Sequence, residues 1–256
     1  MRSLAVALAA GALLLVPVVA AAELAQEGNL RVKFDAQVKP QALPREGTAP
    51  ISVSVGGRVS TTDGSVPPQL RQVQIAINRA GRLDAKGLPV CRLHDIQPAT
   101  TANALAACGA AKVGEGEFSA NVVIPEQSPF PSDGKLVAFN GVQGGKPVIF
   151  AHVYGTEPIP TSFTLPLKVS RAKGRFGTLL TATLPSVTSS VAFVTGISLK
   201  LKRGFNYRGE RHSYLSAGCP APKGFSEVLY PLAKATFSFV DGQILSSKAV
   251  RSCRVR

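Results

Sequence analysis

No G-x-S-x-G, H-E-x-x-H, Walker-type or EF-hand spacing occurs in the sequence, which removes the common serine-hydrolase, zincin, phosphate-loop and calcium-loop chemistries. Histidine is scarce: His94, His152 and His212 lie far apart along the chain. The four cysteines, Cys91, Cys108, Cys219 and Cys253, include no C-x-x-C pair. His94 follows Cys91 by three residues, with no second cysteine or histidine at finger-like distance. These absences exclude a finger-type zinc site and a thioredoxin-like redox centre, so neither metal nor cofactor is expected. Acid is scarce as well, and unevenly so. Residues 23–167 carry 13 Lys and Arg against 12 Asp and Glu, whereas residues 168–256 carry 15 against 3, within a whole-chain net charge of +14.

What is present begins with an address. Arg2 precedes an apolar run from Leu4 to Val19, followed by Ala20, Ala21, Ala22 and then Glu23. That layout predicts a secretory signal peptide over residues 1–22, cleaved after Ala22, rather than a transmembrane anchor. No cysteine stands at the junction, which argues against a lipoprotein, and the tail RSCRVR holds no apolar run for a second anchor. The expected location is therefore secreted, extracellular or associated with the cell envelope. Cysteines outside the cytoplasm pair. Four allow three connectivities; Cys91 with Cys108 and Cys219 with Cys253 is the favoured one, because each pair stays within one half of the chain. On the chain-entropy model such closures stabilise by roughly 3 and 4 kcal/mol.

Hydrophobic residues alternate with period two over most of the chain, the signature of half-buried strands. Ile51, Val53 and Val55 alternate with Ser52, Ser54 and Gly56; Ile197, Leu199 and Leu201 alternate with Ser198, Lys200 and Lys202. Asp63-Gly64, Asp133-Gly134 and Asp241-Gly242 read as turns, and NGVQGGK (140–146) as a hairpin loop joining KLVAF to PVIFAHVY. With 24 Gly and 19 Pro between short strands, the pattern predicts a mainly β protein, an antiparallel sandwich of Ig-like or jelly-roll style. Residues 23–256 form a single domain on this reading. A faint likeness between the halves leaves open two β subdomains, about 23–125 and 126–256. One segment differs: PATTANALAACG (98–109) predicts one short helix, capped by threonine, stopped by Gly109 in a left-handed conformation, and tethered by a disulfide.

Candidates for chemistry are few. His94 and Asp95 can form a base and its orienter if the fold brings Ser213 or Ser216 to them; the plainer reading is a solvent-facing polar pair. Glu115 and Glu117 share one face of a strand and are the best carboxylate pair for glycoside hydrolysis; a charged strand edge is the commoner meaning. No catalytic residue is assigned on this basis. The segment KLKRGFNYRGERHSY (200–214) interleaves Lys200, Lys202, Arg203, Arg208 and Arg211 with Phe205, Tyr207 and Tyr214, the composition suited to phosphate contact and base stacking. Those five cations are the candidate polyanion-binding residues. For an exported chain the expected partners are anionic wall polymer or a membrane surface, ahead of nucleic acid.

The stretches RVSTTDGSVPPQLRQVQIAINRAGRLDAKGLPVCRLHDIQPATTANALAACG, VGEGEFSANVVIPEQSPFPSDGKLVAFNG, AHVYGTEPIPTSFTLPL and YLSAGCPAPKGF resemble a family of uncharacterised secreted proteins of actinobacteria. The resemblance runs from about Gly47 to Cys253. It implies secretion and a β-rich body, and no activity or site residue. The sequence thus points to a secreted, disulfide-stapled, non-enzymatic binding or structural module of the cell envelope that turns a basic C-terminal half toward anionic polymers. A hydrolase whose site is assembled from scattered residues is the alternative. If all four thiols are consumed, the intact mass under oxidising conditions lies four hydrogens below that of the reduced chain; free thiol by the same measurement overturns the pairing.

Overall fold

The computed structural model describes residues 23–123, 126, 128–157, 160–184 and 192–256; the expected signal peptide, residues 1–22, lies outside them. In chain order the elements are β1 (Glu23–Glu27), β2 (Leu30–Lys39), β3 (Ala42–Leu43), β4 (Ala49–Pro50), β5 (Ser52–Thr61), β6 (Leu70–Asn78), β7 (Gly81–Leu83), α1 (Leu93–Ile96) and α2 (Thr101–Cys108). There follow β8 (Lys112–Val122), β9 (Phe130–Gln143), β10 (Lys146–Gly155), β11 (Thr161–Arg171), β12 (Phe176–Thr183) and β13 (Ala192–Leu201). The last are β14 (Gly204–Tyr207), β15 (Glu210–Ser213), β16 (Leu215–Ala217), β17 (Glu227–Phe239) and β18 (Ile244–Val255).

The mainly β body is as expected. Its ladder is a single thirteen-stranded sheet in the order β1-β2-β5-β13-β8-β9-β10-β11-β12-β6-β17-β18-β3, with no break into two sheets. The pairs are antiparallel apart from β18 with β3. Strands from the two halves of the sequence interleave: β13 lies between β5 and β8, and β6 between β12 and β17. Two small sheets, β14-β15 and β4-β16-β7, sit beside it.

Alternation dictates the curl. On β2, Leu30, Val32, Phe34, Ala36 and Val38 are buried while the residues between them face water. A sheet so long, twisted and apolar on one face hides that face by rolling up. The roll is fastened where β18 returns to β1 and β2. Ser247 Oγ donates to the Glu23 carbonyl (2.9 Å), the Lys248 amide donates to the Glu23 carboxylate (2.8 Å), and the Arg251 guanidinium pairs with Asp35.

Among the described residues the central strands β9 and β10 carry continuous buried runs, dry on both sides, which is why KLVAF and PVIFAHVY read as continuous apolar stretches. Leu136, Ala138, Ile149 and Ala151 point into the roll. Val137, Phe139, Val148 and Phe150 point outward and are covered by Ile96, Ala104, Cys91 and Cys108 of the helical segment. Two disulfides join Cys91 to Cys108 and Cys219 to Cys253, the favoured pairing. The first pins α2, two turns that are too short to be stable alone, onto β9 and β10.

Thr100 caps α2, accepting from the Asn103 amide at 3.2 Å, as the sequence suggests. The stop differs: Gly109 has φ −57°, in the right-handed region, and the chain continues through a 3₁₀ turn, Gly109–Ala111. A second helix, α1, precedes the expected one. Its four residues carry too little periodicity to read. The hairpin between β9 and β10 turns on Gly144 and Gly145 (φ +57° and +72°), the pair of positive φ values that a tight two-residue turn requires. Asp133-Gly134 is no turn, because it lies within β9. There a side chain on Gly134 would come within 2.9 Å of Val153, so the glycine serves strand contact.

Gly116 of β8 is tighter still: a Cβ there would fall on the Ser198 carbonyl of β13. Gly116→Ala is expected to lower Tm by roughly 5–10 °C, the effect of about 2–3 kcal/mol of overpacking in a chain of this size. Gly109→Ala, at a right-handed position with open space around it, leaves Tm unchanged or raises it. A melting curve for each checks both.

Candidate anion-binding surface

The five cations of the 200–211 segment do not share one surface. Lys200 lies on the outer face of β13 directly across from Glu115, itself bound to Lys112 at 2.7 Å. Arg203 turns inward and donates from Nη2 to the Ala110 carbonyl (3.0 Å), clamping the end of β13 to the 3₁₀ turn. Lys202 is exposed. Arg208 and Arg211 are carried on the β14-β15 hairpin, Arg208 over the Tyr207 ring at 5.2 Å.

The aromatics of the segment are equally committed. Phe205 and Tyr207 pack on His212, at 5.7 and 5.8 Å between ring centres, and Tyr207 fills the space that a side chain on Gly87 would need. Tyr214 is wholly buried, and burial pushes its phenol up and keeps it protonated. Tyr214 is thus unavailable for stacking on a base, and Phe205 and Tyr207 are half-buried against the hairpin.

The catalytic candidates are likewise separated. His94 Nε2 and Asp95 Oδ1 stand 3.1 Å apart on α1 at the surface, while the Ser213 hydroxyl donates to the Leu215 carbonyl (2.7 Å) beyond β15. Glu115 and Glu117 sit on β8, which is a central strand, not an edge. The Lys112 ammonium, aided by Lys200, holds the exposed Glu115 carboxyl below its ordinary range, the reverse of what a general acid needs. Among the described residues no three His, Cys, Asp or Glu side chains group as metal ligands.

A denser basic group lies elsewhere. Arg171, Lys173 and Arg175 are exposed on the β11-β12 turn, and the Arg79 amide donates to the Arg175 carbonyl (3.2 Å), which sets the β6-β7 turn beside them. Arg79 and Arg82 are exposed on that second turn and at its exit. None of these five side chains enters a salt bridge among the described residues. The acid nearest to them along the chain, Asp84, turns its carboxylate to the Lys86 amide (2.9 Å). The readable signal was SRAKGRF, three cations in five residues around a turn glycine. Arg79 and Arg82 come from about ninety residues upstream, and only the β6-β12 pairing unites them with it.

The same end of the roll leads inward. Behind Arg82 and Asn78 lies a cavity of about 70 Å³ bordered by Val38, Val53, Ile77, Leu201 and Leu232. A second, also about 70 Å³, is bordered by Leu70, Phe118, Ala182 and Val194. Val55, Ile75, Leu167, Leu180 and Leu199 border both. Comparison with protein-family models, with curated proteins and with solved structures finds no match for this chain.

His152 is the one fully buried histidine, on the outer face of β10 beneath the helical segment, with Nδ1 3.4 Å from Thr164 Oγ1. Burial removes water from the imidazolium and pushes its pKa down. Since the folded value lies below the unfolded value of about 6.5, the stabilisation is complete above that pH and is lost as pH falls through it. Urea melts at pH 7.5 and pH 5 are expected to show this loss, and His152→Gln to reduce it. An unchanged pH dependence in the variant overturns the assignment.

Proposed function

We propose that the protein is an exported, non-enzymatic binding module of the cell envelope that docks on an anionic surface through the end of the roll carrying Arg79, Arg82, Arg171, Lys173 and Arg175. The observation that carries this reading is the grouping of five exposed cations on adjoining turns, none of them in a salt bridge among the described residues. Charges so placed repel one another in the free protein and are relieved by an anionic partner. Two disulfides support an oxidising compartment, and the resemblance to secreted actinobacterial proteins supports the same address. The opposed arcs of the rolled sheet press together by their apolar faces, and in that sense we read the body as sandwich-like.

Anionic lipid headgroups are the partner we favour, because the cations are gathered on two adjoining turns rather than spread along a strand as a polymer track would be. Vesicles containing phosphatidylglycerol are expected to retain the protein at low salt and release it at high salt, since exposed charge contacts are screened within about 8 Å at 0.15 M salt. Phosphatidylcholine vesicles retain none. The triple variant Arg79→Glu, Arg171→Glu, Arg175→Glu abolishes retention, while Arg208→Glu with Arg211→Glu on the β14-β15 hairpin leaves it. Retention by isolated wall polymer and not by vesicles assigns the surface to the wall instead; retention unaltered by the triple variant overturns the site.

A further inference from the structure

The outer face of the sheet carries a polar surface made by other strands than those of the basic end. Because α2 stands on β9 and β10 as a ridge, a re-entrant angle is left where it overlooks β8 and β13. Two open hollows, of about 630 and 690 Å³, occupy this angle, and Thr101, Glu117 and Lys135 border both. Small-ligand sites are of this size, roughly 300–1,000 Å³.

Strand register builds the floor. Ser198 lies opposite Glu117, Glu117 opposite Lys135, and Lys135 opposite Tyr154, so four side chains form a row across β13, β8, β9 and β10. Ser198 borders one hollow and Tyr154 the other. Asp133, on the same face of β9 as Lys135, borders the second. Glu117, Asp133 and Lys135 are exposed, and none of them enters a salt bridge among the described residues.

This composition selects an occupant by exclusion. Three carboxylates, of Glu115, Glu117 and Asp133, and three ammonium groups, of Lys112, Lys135 and Lys200, line the two hollows. In a chain of net charge +14 this patch is balanced, so a polyanion gains little there. β8 and β9 are central strands whose backbone groups are spent on their neighbours, so an extended peptide finds no edge to join. Side chains this polar disfavour an apolar guest, which would strip them of water. They suit a neutral molecule dense in groups that donate and accept at once. A sugar hydroxyl does both: it can accept from the Lys135 ammonium while donating to the Glu117 or Asp133 carboxylate. Tyr154 adds an aromatic ring against which the C–H face of a pyranose can lie.

We infer that this surface binds a neutral, linear oligosaccharide, laid across the strands along the row from Ser198 to Tyr154. Neighbouring strands are about 4.8 Å apart, close to the length of one pyranose unit, so successive sugars each meet a polar side chain of the row. Its three strand intervals accommodate about three units. No residue of the row belongs to the docking surface proposed above, and the inference does not rest on that surface.

The test is titration of the disulfide-intact, isotope-labelled protein with cello-, N-acetylchito- and malto-oligosaccharides of one to six units, followed by amide resonances and by calorimetry. At least one series should bind, with affinity that rises up to about three units, levels beyond, and is the same at low and high salt. The amides of Glu117, Lys135 and Tyr154 should be among those that shift. Absence of binding by all three series, binding lost at high salt, or shifts confined to other residues overturns the proposal. A neutral glycine-serine octapeptide should leave the spectrum unchanged; shifts of the same amides by it reassign the surface to peptide.

Glu117→Ala and Lys135→Ala change exposed side chains and should retain Tm. Each should weaken the sugar about tenfold or more, the effect of losing one hydrogen bond to a charged group. Unaltered affinity in both overturns the row. Tyr154→Ala should weaken it as well, and the two charge variants decide the matter even if this one fails to fold. The Arg79, Arg171, Arg175 triple variant should keep the sugar and Glu117→Ala should keep the vesicle, so failure of one site is read separately from failure of the other.

Discussion

Everything functional in this molecule depends on the seam at which a single sheet meets itself. An open sheet of this length has one apolar face and nowhere to put it. Once β18 returns to β1 and β2, that face becomes an interior. The contacts that fasten it are few and polar: the Ser247 hydroxyl and the Lys248 amide on Glu23, and Arg251 on Asp35. Arg251 is nearly buried and its partner partly so, a setting in which desolvation offsets much of the Coulomb gain. The pair is therefore better regarded as fixing the register of closure than as a large store of stability. The free energy comes from the apolar face. The Cys219–Cys253 disulfide adds to this end of the chain by tying β18 to the segment after β16.

Closure also explains why an outer helical layer is present and where it lies. The roll can dry the inner face of every strand, but β9 and β10 carry Val137, Phe139, Val148 and Phe150 on the outside as well. Such a stripe needs a cover, and α1 with α2 supplies it. Too short to persist alone, the segment is held by the Cys91–Cys108 bond and by the cap at Thr100. His152 belongs to this layer. It is a polar group caught beneath the cover, and the fold keeps it neutral. The stretch richest in reactive residue types, from Cys91 to Cys108, thus serves as a lid on the outer surface of the sheet.

Legibility in the sequence followed the range of the forces involved. Period-two patterning gave most of the strands, because burial of alternate residues is decided locally; the NGVQGGK loop and the Asp241-Gly242 pair gave the β9-β10 and β17-β18 turns, because φ is decided locally. The disulfide pairing was readable from loop position. Strand order was not readable, since β13 between β5 and β8 is chosen by contacts that no window of sequence contains. Asp133-Gly134 misled for the same reason: its glycine answers to Val153 on the neighbouring strand, not to a turn. The proposed anion-binding surface was legible only in part. Local density of Lys and Arg drew attention to residues 200–211, where Glu115 and the Ala110 carbonyl already engage two of the charges. The denser group needed Arg79 and Arg175 to be neighbours, a fact of the β6-β12 pairing.

The interior of the roll is tightly packed in some places and only half-filled in others. Fully burying a Val, Ile or Phe side chain is worth about 1.5–3 kcal/mol relative to leaving it exposed. Eight inward-pointing side chains of this kind, Val53, Val55, Val73, Ile75, Ile77, Phe118, Val194 and Ile197, stop short of that burial. Each of them is already half-buried, so what is forgone is a fraction of that figure per side chain. Larger side chains at Val53, Val55 or Val73 would close the gap with ordinary packing, and the chain carries valine instead.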